Sequence, residues 1–523
     1  MRTKEKPWSW MGFAAGAGVM LLAGFLLFGP TGRDDVYKTL WPAFTFADSG
    51  RILNYNGDAL EQSSSLLHVL VLGGLHRLTG LGLPDLNFIF IIVCGLASLG
   101  MTLRLSRRMG IHAPVHLGLV LGMQAAFVYW AMGGLDSVLA ALVWLLLLDA
   151  VSGFLDGGRP HWMVFSVLLT VLVRPEGAFV AMAGLGAAWS LGSVGLNPGP
   201  DATRAGAEGQ QRTGKVGKRL LMVLGAVLAA AVLVGCWRIW HSGQWWPQPV
   251  AAKSGGFGVE KTLDGLRYLW RETLVHPELA VLWGALAWSG WSLLRRRLGS
   301  RTELLALGFA GGSLGFVVLS GGDWMENGRF LVPVMPLLVL VSFRRIGETG
   351  IGWQRWLKVG WICLSVWGLV HTARWHSTGY PPWLHSERMQ RFGLDSDTPE
   401  MAFVERYNRV HLRDIAPLAA LRAATQEVHA VKRAPVTILS QQAGMMAFHL
   451  AKSHFGRFRF IDLVGLCTPD FTDCPVTKAR GNFRGGLNMD LMYFFDDLPR
   501  IEAECGIAAP DIVFGLDDSA GTL

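Results

Sequence analysis

A succession of apolar runs, each about as long as a bilayer core is thick, constrains this chain more than any other feature. The runs recur from Trp8 to Ala373, separated by short polar patches. Within a bilayer the backbone has to satisfy its own hydrogen bonds, so such runs become helices. The spacing predicts about eleven crossings. They lie at residues 8–28, 86–104, 114–131, 136–154, 160–174, 177–193, 219–239, 278–294, 303–320, 330–343 and 357–374. Only 16% of the 523 residues are charged, well below the soluble norm. The 22 Trp and 27 Phe suit aromatic belts at the lipid–water boundary.

The net charge is +8, but the surplus sits in short clusters beside the apolar runs. That is the bias of cytoplasmic loops, and no nucleic-acid motif accompanies it. One segment decides the topology. Residues 62–80 (QSSSLLHVLVLGGLHRLTG) are apolar but broken by Ser, His and Arg. If they lie along the outer interface as an amphipathic helix, every basic cluster of the apolar part falls on one side. Those clusters are Arg2/Lys4/Lys6, Arg104/Arg107/Arg108, Arg159, Arg212/Lys215/Lys218/Arg219, Arg295/Arg296/Arg297/Arg301 and Arg344/Arg345. The N-terminus is then cytoplasmic. Residues 30–85, the GGLD turn at 133–136, the loop 240–277 and the turn 321–329 face outside. The first run, which ends in Phe28-Gly-Pro, reads as a retained anchor rather than a cleaved signal.

The chain divides into a membrane part, 1–375, and a soluble C-terminal part, 376–523. In the latter, Val436–Leu439, Phe458–Val464 and Asp511–Gly515 read as strands and Ala443–Lys452 as a helix. Strand, helix, strand predicts a small α/β domain with a parallel sheet. The expected fold is therefore mainly α: a polytopic helical membrane domain with outer juxtamembrane helices, and a small α/β domain outside. Cys467 and Cys474 flank a short loop and can form a disulfide outside the cell, with Cys505 the alternative partner.

Four groups of residues can carry chemistry. Asp34 and Asp35 follow the first crossing. Paired carboxylates there can supply a general base or hold a divalent cation, or simply end a helix in water. Arg174-Pro175-Glu176-Gly177 places an ion pair in a helical break, where it is either functional or a pin for the turn. The turn Gly321–Phe330 crowds Asp323, Glu326 and Arg329 beside lipid, where Arg329 can grip a phosphate or anchor the interface. The outer stretch Trp240–Lys253 offers His241, several Trp and Lys253. His112 and His116 have helical metal-ligand spacing but lack a third ligand. All four groups fall on one side at one depth, which differs from the midplane sites of transporters.

At this point the residues resemble a family. The run DDVYKTLWPAFTFADSGRILNYNGDALEQSSSLLHVLV is similar to the first outer loop of GT-C glycosyltransferases that use polyprenyl-phosphate sugars. The nearest likeness is to the terminal arabinofuranosyltransferases of the mycobacterial cell wall and their bacterial relatives. GLDS, RPEG, WPQPVAAK, GGDWMENGRFLVPVMPLL and QQAGMMAFHLAKSHFGRFRFIDLVGL recur there in similar order. This chain lacks the usual Pro-Asn pair in the QPVAAK loop, and its soluble domain is short.

The resemblance implies inverting transfer of a sugar, arabinofuranose among the candidates, from a polyprenyl phosphate. The acceptor is an extracytoplasmic glycan, lipid or protein. It makes Asp34 or Asp35 the catalytic base, the other being its orienting partner or a metal ligand. Arg329, Lys253 or Arg174 would face the leaving phosphate, with Asp323, Glu176 and His241 around the substrate. A divalent cation (Mg, Mn or Ca) at Asp35 is compatible with the family. So is a multi-pass location in a bacterial plasma membrane, with the C-terminal domain in the periplasm. A lipid or polysaccharide transporter and a non-catalytic membrane scaffold are the rival classes.

Overall fold

The structure is a computed structural model. It describes residues 8–29, 34–192, 206–253, 258–295, 300–323, 325, 327–378, 416–440, 444–463, 465, 467–468, 474–480 and 491–514. The protein is a multi-pass membrane protein built mostly of helices. Its membrane part comprises α1 (Trp8–Ala23), α2 (Asp34–Ser49), α3 (Leu66–Thr79), α4 (Leu83–Arg108), α5 (Pro114–Gly122) and α6 (Ala125–Gly133). There follow α7 (Ser137–Leu155), α8 (Pro160–Val173), α9 (Gly177–Gly192), α10 (Gly206–Ser242) and α11 (Gln248–Lys253). The last are α12 (Val259–Val275), α13 (Leu279–Leu294), α14 (Arg301–Leu319), α15 (Met335–Ile346) and α16 (Ile351–Thr378).

Local chemistry marks the boundaries. Pro occupies the first turn of α4, α5, α8 and α15, where its missing N–H costs nothing. Ser65 and Ser300 cap α3 and α14 by accepting from His68 N–H and Glu303 N–H. Among the described residues five helices are long and apolar enough to cross a bilayer alone: Trp10–Phe28, Leu83–Arg108, Ser137–Leu155, Val216–Ser242 and Arg301–Leu319. The expected run at 114–131 is not one straight helix, because α5 and α6 meet at a bend of 59°. The run expected at 330–343 becomes helical only at Met335; before it, Asn327 and Gly328 take positive φ and the chain turns. At 14 residues, α3 is about 21 Å long. That is short of a bilayer core, and it packs along α2.

Burial is graded outward from α6, α7 and α15. Every residue from Ala125 to Met132 is fully buried. In contrast α1 and α10 expose Leu22, Phe25, Leu26, Leu221, Met222 and Leu233. A helix apolar on its outer face is soluble only where lipid is the solvent. Among the described residues, Arg104, Arg108, Arg219 and Arg344 gather at one end of the bundle. Arg104 and Arg108 share Asp149, Arg219 donates to the Leu155 carbonyl, and Arg344 reaches Gly110. Beside them the buried Arg345 pairs with Glu303 and with Glu348.

The C-terminal residues form a three-stranded, all-parallel sheet, β1 (Val436–Ser440), β2 (Phe458–Asp462) and β3 (Ile512–Phe514), in the order β2-β1-β3. Helices Ala416–Lys432 and Met445–His454 pack beside it. The disulfide joins Cys474 to Cys505, not Cys467 to Cys474. Cys474 sits just before the helix Pro475–Arg480, and the two-faced helix Leu491–Cys505 packs on that helix, which brings the two sulfurs together. Cys467 lies instead against the loop after α2, its carbonyl accepting from Asn54 Nδ2.

Candidate functional site

The motifs noted in the sequence meet at the end of the bundle where α2 begins. Asp34 opens α2, but its side chain lies outside the described residues, as do Trp324, Glu326 and the Lys253 side chain. Asp35 is described. Its Oδ1 accepts from Lys38 Nζ at 2.7 Å, one turn along the helix. Both side chains are mostly buried, at 17% and 10% exposure. The Lys38 carbonyl accepts from Gln62 Nε2, and Thr39 and Ser63 share a hydroxyl hydrogen bond at 2.8 Å. The loop that returns after α2 thus clamps its first turns.

Val36 connects this helix to the next motif. Its methyls lie against Gly134, where an added Cβ would meet them at 3.4 Å and Asn87 Nδ2 at 2.8 Å. Gly134 also has φ of 75°, so a side chain there is excluded twice. Two residues on, Asp136 accepts from Arg174 Nη2 at 3.1 Å, while Arg174 Nη1 donates to Glu176 at 3.0 Å. Arg174 is therefore held by two carboxylates and by Ser137 Oγ, with its side chain 7% exposed. The GLDS turn and the RPEG turn are one ionic unit.

Phe330 joins that unit to the third motif. Arg174 lies 5.4 Å from its ring centroid and Arg329 5.0 Å. Arg329 makes a two-pronged bond to Asp323, at 2.6 and 3.0 Å. The turn rests on α12. Gly322 presses on the Tyr268 ring with φ of 73°, Arg271 donates to Glu272, and Trp130 Nε1 donates to the Asn327 carbonyl at 2.9 Å. Burial, reinforced by the nearby Glu272 and Asp323 carboxylates, pushes the Tyr268 hydroxyl well above its ordinary pKa.

His241 sits apart from this group. Its ring stacks on Trp237 at 4.9 Å and its Nε2 lies 3.0 Å from the Ile52 carbonyl, so it braces the loop after α2. The same loop holds a pair not singled out in the sequence: Glu61 and Arg238 are both buried and bonded twice, at 2.7 and 3.1 Å. Also unforeseen was α12, which sits within the stretch 240–277. The spacing of Val259, Leu263, Leu266, Trp270 and Leu274 carries its helical signal, and all five are exposed on one face. His68 likewise went unnoticed. It is buried against Asn87 at 2.7 Å, and burial lowers its pKa despite Asp136 nearby.

The site is thus a set of carboxylates and guanidiniums in pairs. One pair, Asp35–Lys38, stands at its edge where α2 begins. With Asp35 engaged by Lys38, and no group of three His, Cys, Asp or Glu converging among the described residues, the described side chains do not assemble a cation site.

No protein-family model matches this chain, and no curated protein sequence does. Solved structures do resemble it. ArnT from Cupriavidus metallidurans, bound to undecaprenyl phosphate, aligns over 95% of both chains with 14% identity and a TM-score of 0.50. The same protein in its apo state aligns over 94% of this chain and 90% of that one, with 15% identity and a TM-score of 0.49. The mycobacterial arabinofuranosyltransferase AftD aligns over 90% of this chain and 33% of its own, with 14% identity and a TM-score of 0.48. At such identities the likeness is one of fold.

Proposed function

From the GT-C fold as premise, we propose that this protein is a membrane glycosyltransferase that moves a sugar from a polyprenyl phosphate to an acceptor hydroxyl, inverting the anomeric centre. One observation carries the reading. Val36, which follows the aspartate pair at the start of α2, packs on Gly134, two residues before Asp136, whose partner Arg174 shares Phe330 with Arg329. A base, a set of oriented guanidiniums and an apolar surround are what such a transfer needs. ArnT, the protein of like fold, has been seen with undecaprenyl phosphate bound, which supports a polyprenyl-phosphate donor here.

Asp34 takes the proton of the acceptor hydroxyl as its oxygen attacks the anomeric carbon. Asp35, fixed by Lys38, orients that turn. The bond from the anomeric carbon to the phosphate oxygen breaks, and polyprenyl phosphate leaves with the electron pair. Arg329, its side chain 12% exposed, reaches the phosphate; Arg174, tied to two carboxylates, holds the wall behind it. Lys253, at the end of α11, is a further cation proposed for the phosphate, while His241, apart from these pairs, supports the loop after α2. No step is routed through a divalent cation. Arabinofuranose is the sugar that the first-loop likeness favours, with a glycan, lipid or protein as acceptor. In this reading about eleven segments cross the plasma membrane. The arginine-rich end faces the cytoplasm, and the site and C-terminal domain face outside.

The test is transfer in nanodiscs from synthetic polyprenyl-phosphate sugars, arabinofuranose included. Asp34→Asn and Asp35→Asn, each folded, are expected to lose about 10²–10⁴-fold in rate. Wild-type rates in both would remove the catalytic assignment. Lipid or glycan movement across vesicles without sugar transfer would favour a transporter.

A further inference from the structure

The surface around Phe44 carries the chemistry of a lipid contact made by the C-terminal domain. Phe44, near the end of α2, has two cationic or polar neighbours. His76 is 6.1 Å from its centroid on one side, and Lys452 Nζ of the helix Met445–His454 is 5.9 Å away. Trp41 stacks on Phe44 at 5.5 Å and meets Phe455 at 5.3 Å. His76 in turn sits 2.6 Å from the Leu81 carbonyl. This chain of contacts ties the C-terminal domain to the end of α3.

Depth follows from α4. Leu81 lies two residues before Leu83, where a 26-residue apolar helix begins that is long enough to cross a bilayer. A residue so close to the start of a span sits at the level of the lipid headgroups. There the chain leaves large apolar side chains uncovered: Leu78 is 85% exposed, Leu81 50% and Phe455 48%. Arg77 and Lys452 beside them are exposed as well. Apolar side chains flanked by cations at headgroup depth are the pattern of an interfacial anchor. The domain is turned so that this edge meets the membrane part. Asn56 of the first loop bonds both the N–H and the carbonyl of Phe460 on β2, the sheet edge opposite β3.

We propose that the C-terminal domain rests on the bilayer surface through this patch. Phe455, with Leu78 and Leu81, enters the boundary between headgroups and acyl chains, and Lys452 and Arg77 meet the phosphates of anionic lipids. The contact holds the domain over the start of α2 independently of any reaction.

The test places the photoreactive analogue p-benzoylphenylalanine at Phe455 of the full chain, in nanodiscs of phosphatidylcholine with phosphatidylglycerol. Lipid adducts are expected at 455, and far fewer with the same label at Val513, on β3. The double variant Lys452→Glu/Arg77→Glu should lower adduct yield at 455 several-fold in discs containing phosphatidylglycerol, and much less in phosphatidylcholine alone. A label at Leu81 tests the second contact separately. Cross-links at 455 confined to the chain's own residues, or lipid adducts equal at 455 and 513, would overturn the proposal. Insensitivity of the 455 yield to charge reversal would remove the role given to Lys452 and Arg77.

Discussion

Arg238 and Glu61 show how much a single partner matters away from water. Each is nearly inaccessible, and together they hold the loop after α2 against α10. Replacing Arg238 with Met leaves a buried carboxylate with no counter-charge, and such a loss costs about 3–5 kcal/mol. The thermal midpoint in detergent should fall sharply for Arg238→Met. It should recover most of that loss in the double variant Glu61→Gln/Arg238→Met, where no charge is left alone. Arg174 poses a different question. Its two nitrogens serve two carboxylates on separate turns, so Arg174→Lys keeps the charge but loses the fork. On the proposed function, the expected result is reduced transfer with little change in melting.

The crossing of α1 and α5 rests on bare backbone. Gly12, Gly16, Gly118 and Gly122 line it, and a Cβ at Gly118 would collide with the Gly12 carbonyl. Without a hydrophobic drive between helices in lipid, close approach supplies the association. Gly118→Ala should therefore separate the pair and cost about 1–3 kcal/mol, measurable by thermal denaturation in detergent. Because α5 continues through the bend into the fully buried α6, loosening this crossing disturbs the centre of the bundle rather than its rim. Residue pattern foretold the apolar character of both helices. It did not foretell the bend at Met123–Gln124, which breaks a run read as one crossing.

At the scale of the whole molecule, the C-terminal domain is secured by bonds between distant segments. The Cys474–Cys505 bridge spans 31 residues, a closure worth about 3–4 kcal/mol through the unfolded chain. Cys505→Ser should lower the unfolding temperature of this domain, whereas Cys467→Ser leaves the bridge intact. Asp511 adds a dependence on pH. Burial raises its pKa, but hydrogen bonds from Lys432 Nζ and Thr437 N–H, both at 2.7 Å, outweigh that and hold it below 3.8. A carboxyl with a lowered folded pKa contributes its stability above the unfolded value and loses it as pH falls through the folded one. Melting of the domain between pH 6 and 3 should thus decline less steeply in Asp511→Asn than in the wild type. Lys432 is 41% exposed, so the difference should shrink in high salt.

The helical membrane architecture, the strands at 436, 458 and 512, and the gathering of arginines at one end were legible before any coordinates. Each depends on the composition of a short stretch, because hydropathy and alternation act over one turn or one strand. What the tertiary structure alone decided was partnership. Arg174 chose Asp136 across 38 residues, Arg238 chose Glu61 across 177, and Asn56 met Phe460 across 404. The same holds for the choice of Cys505 over Cys467, and for the meeting of Arg174 and Arg329 at one phenylalanine. Such choices follow from packing, where a buried charge takes whichever opposite charge the helices bring within bonding distance. No local window of sequence contains that information.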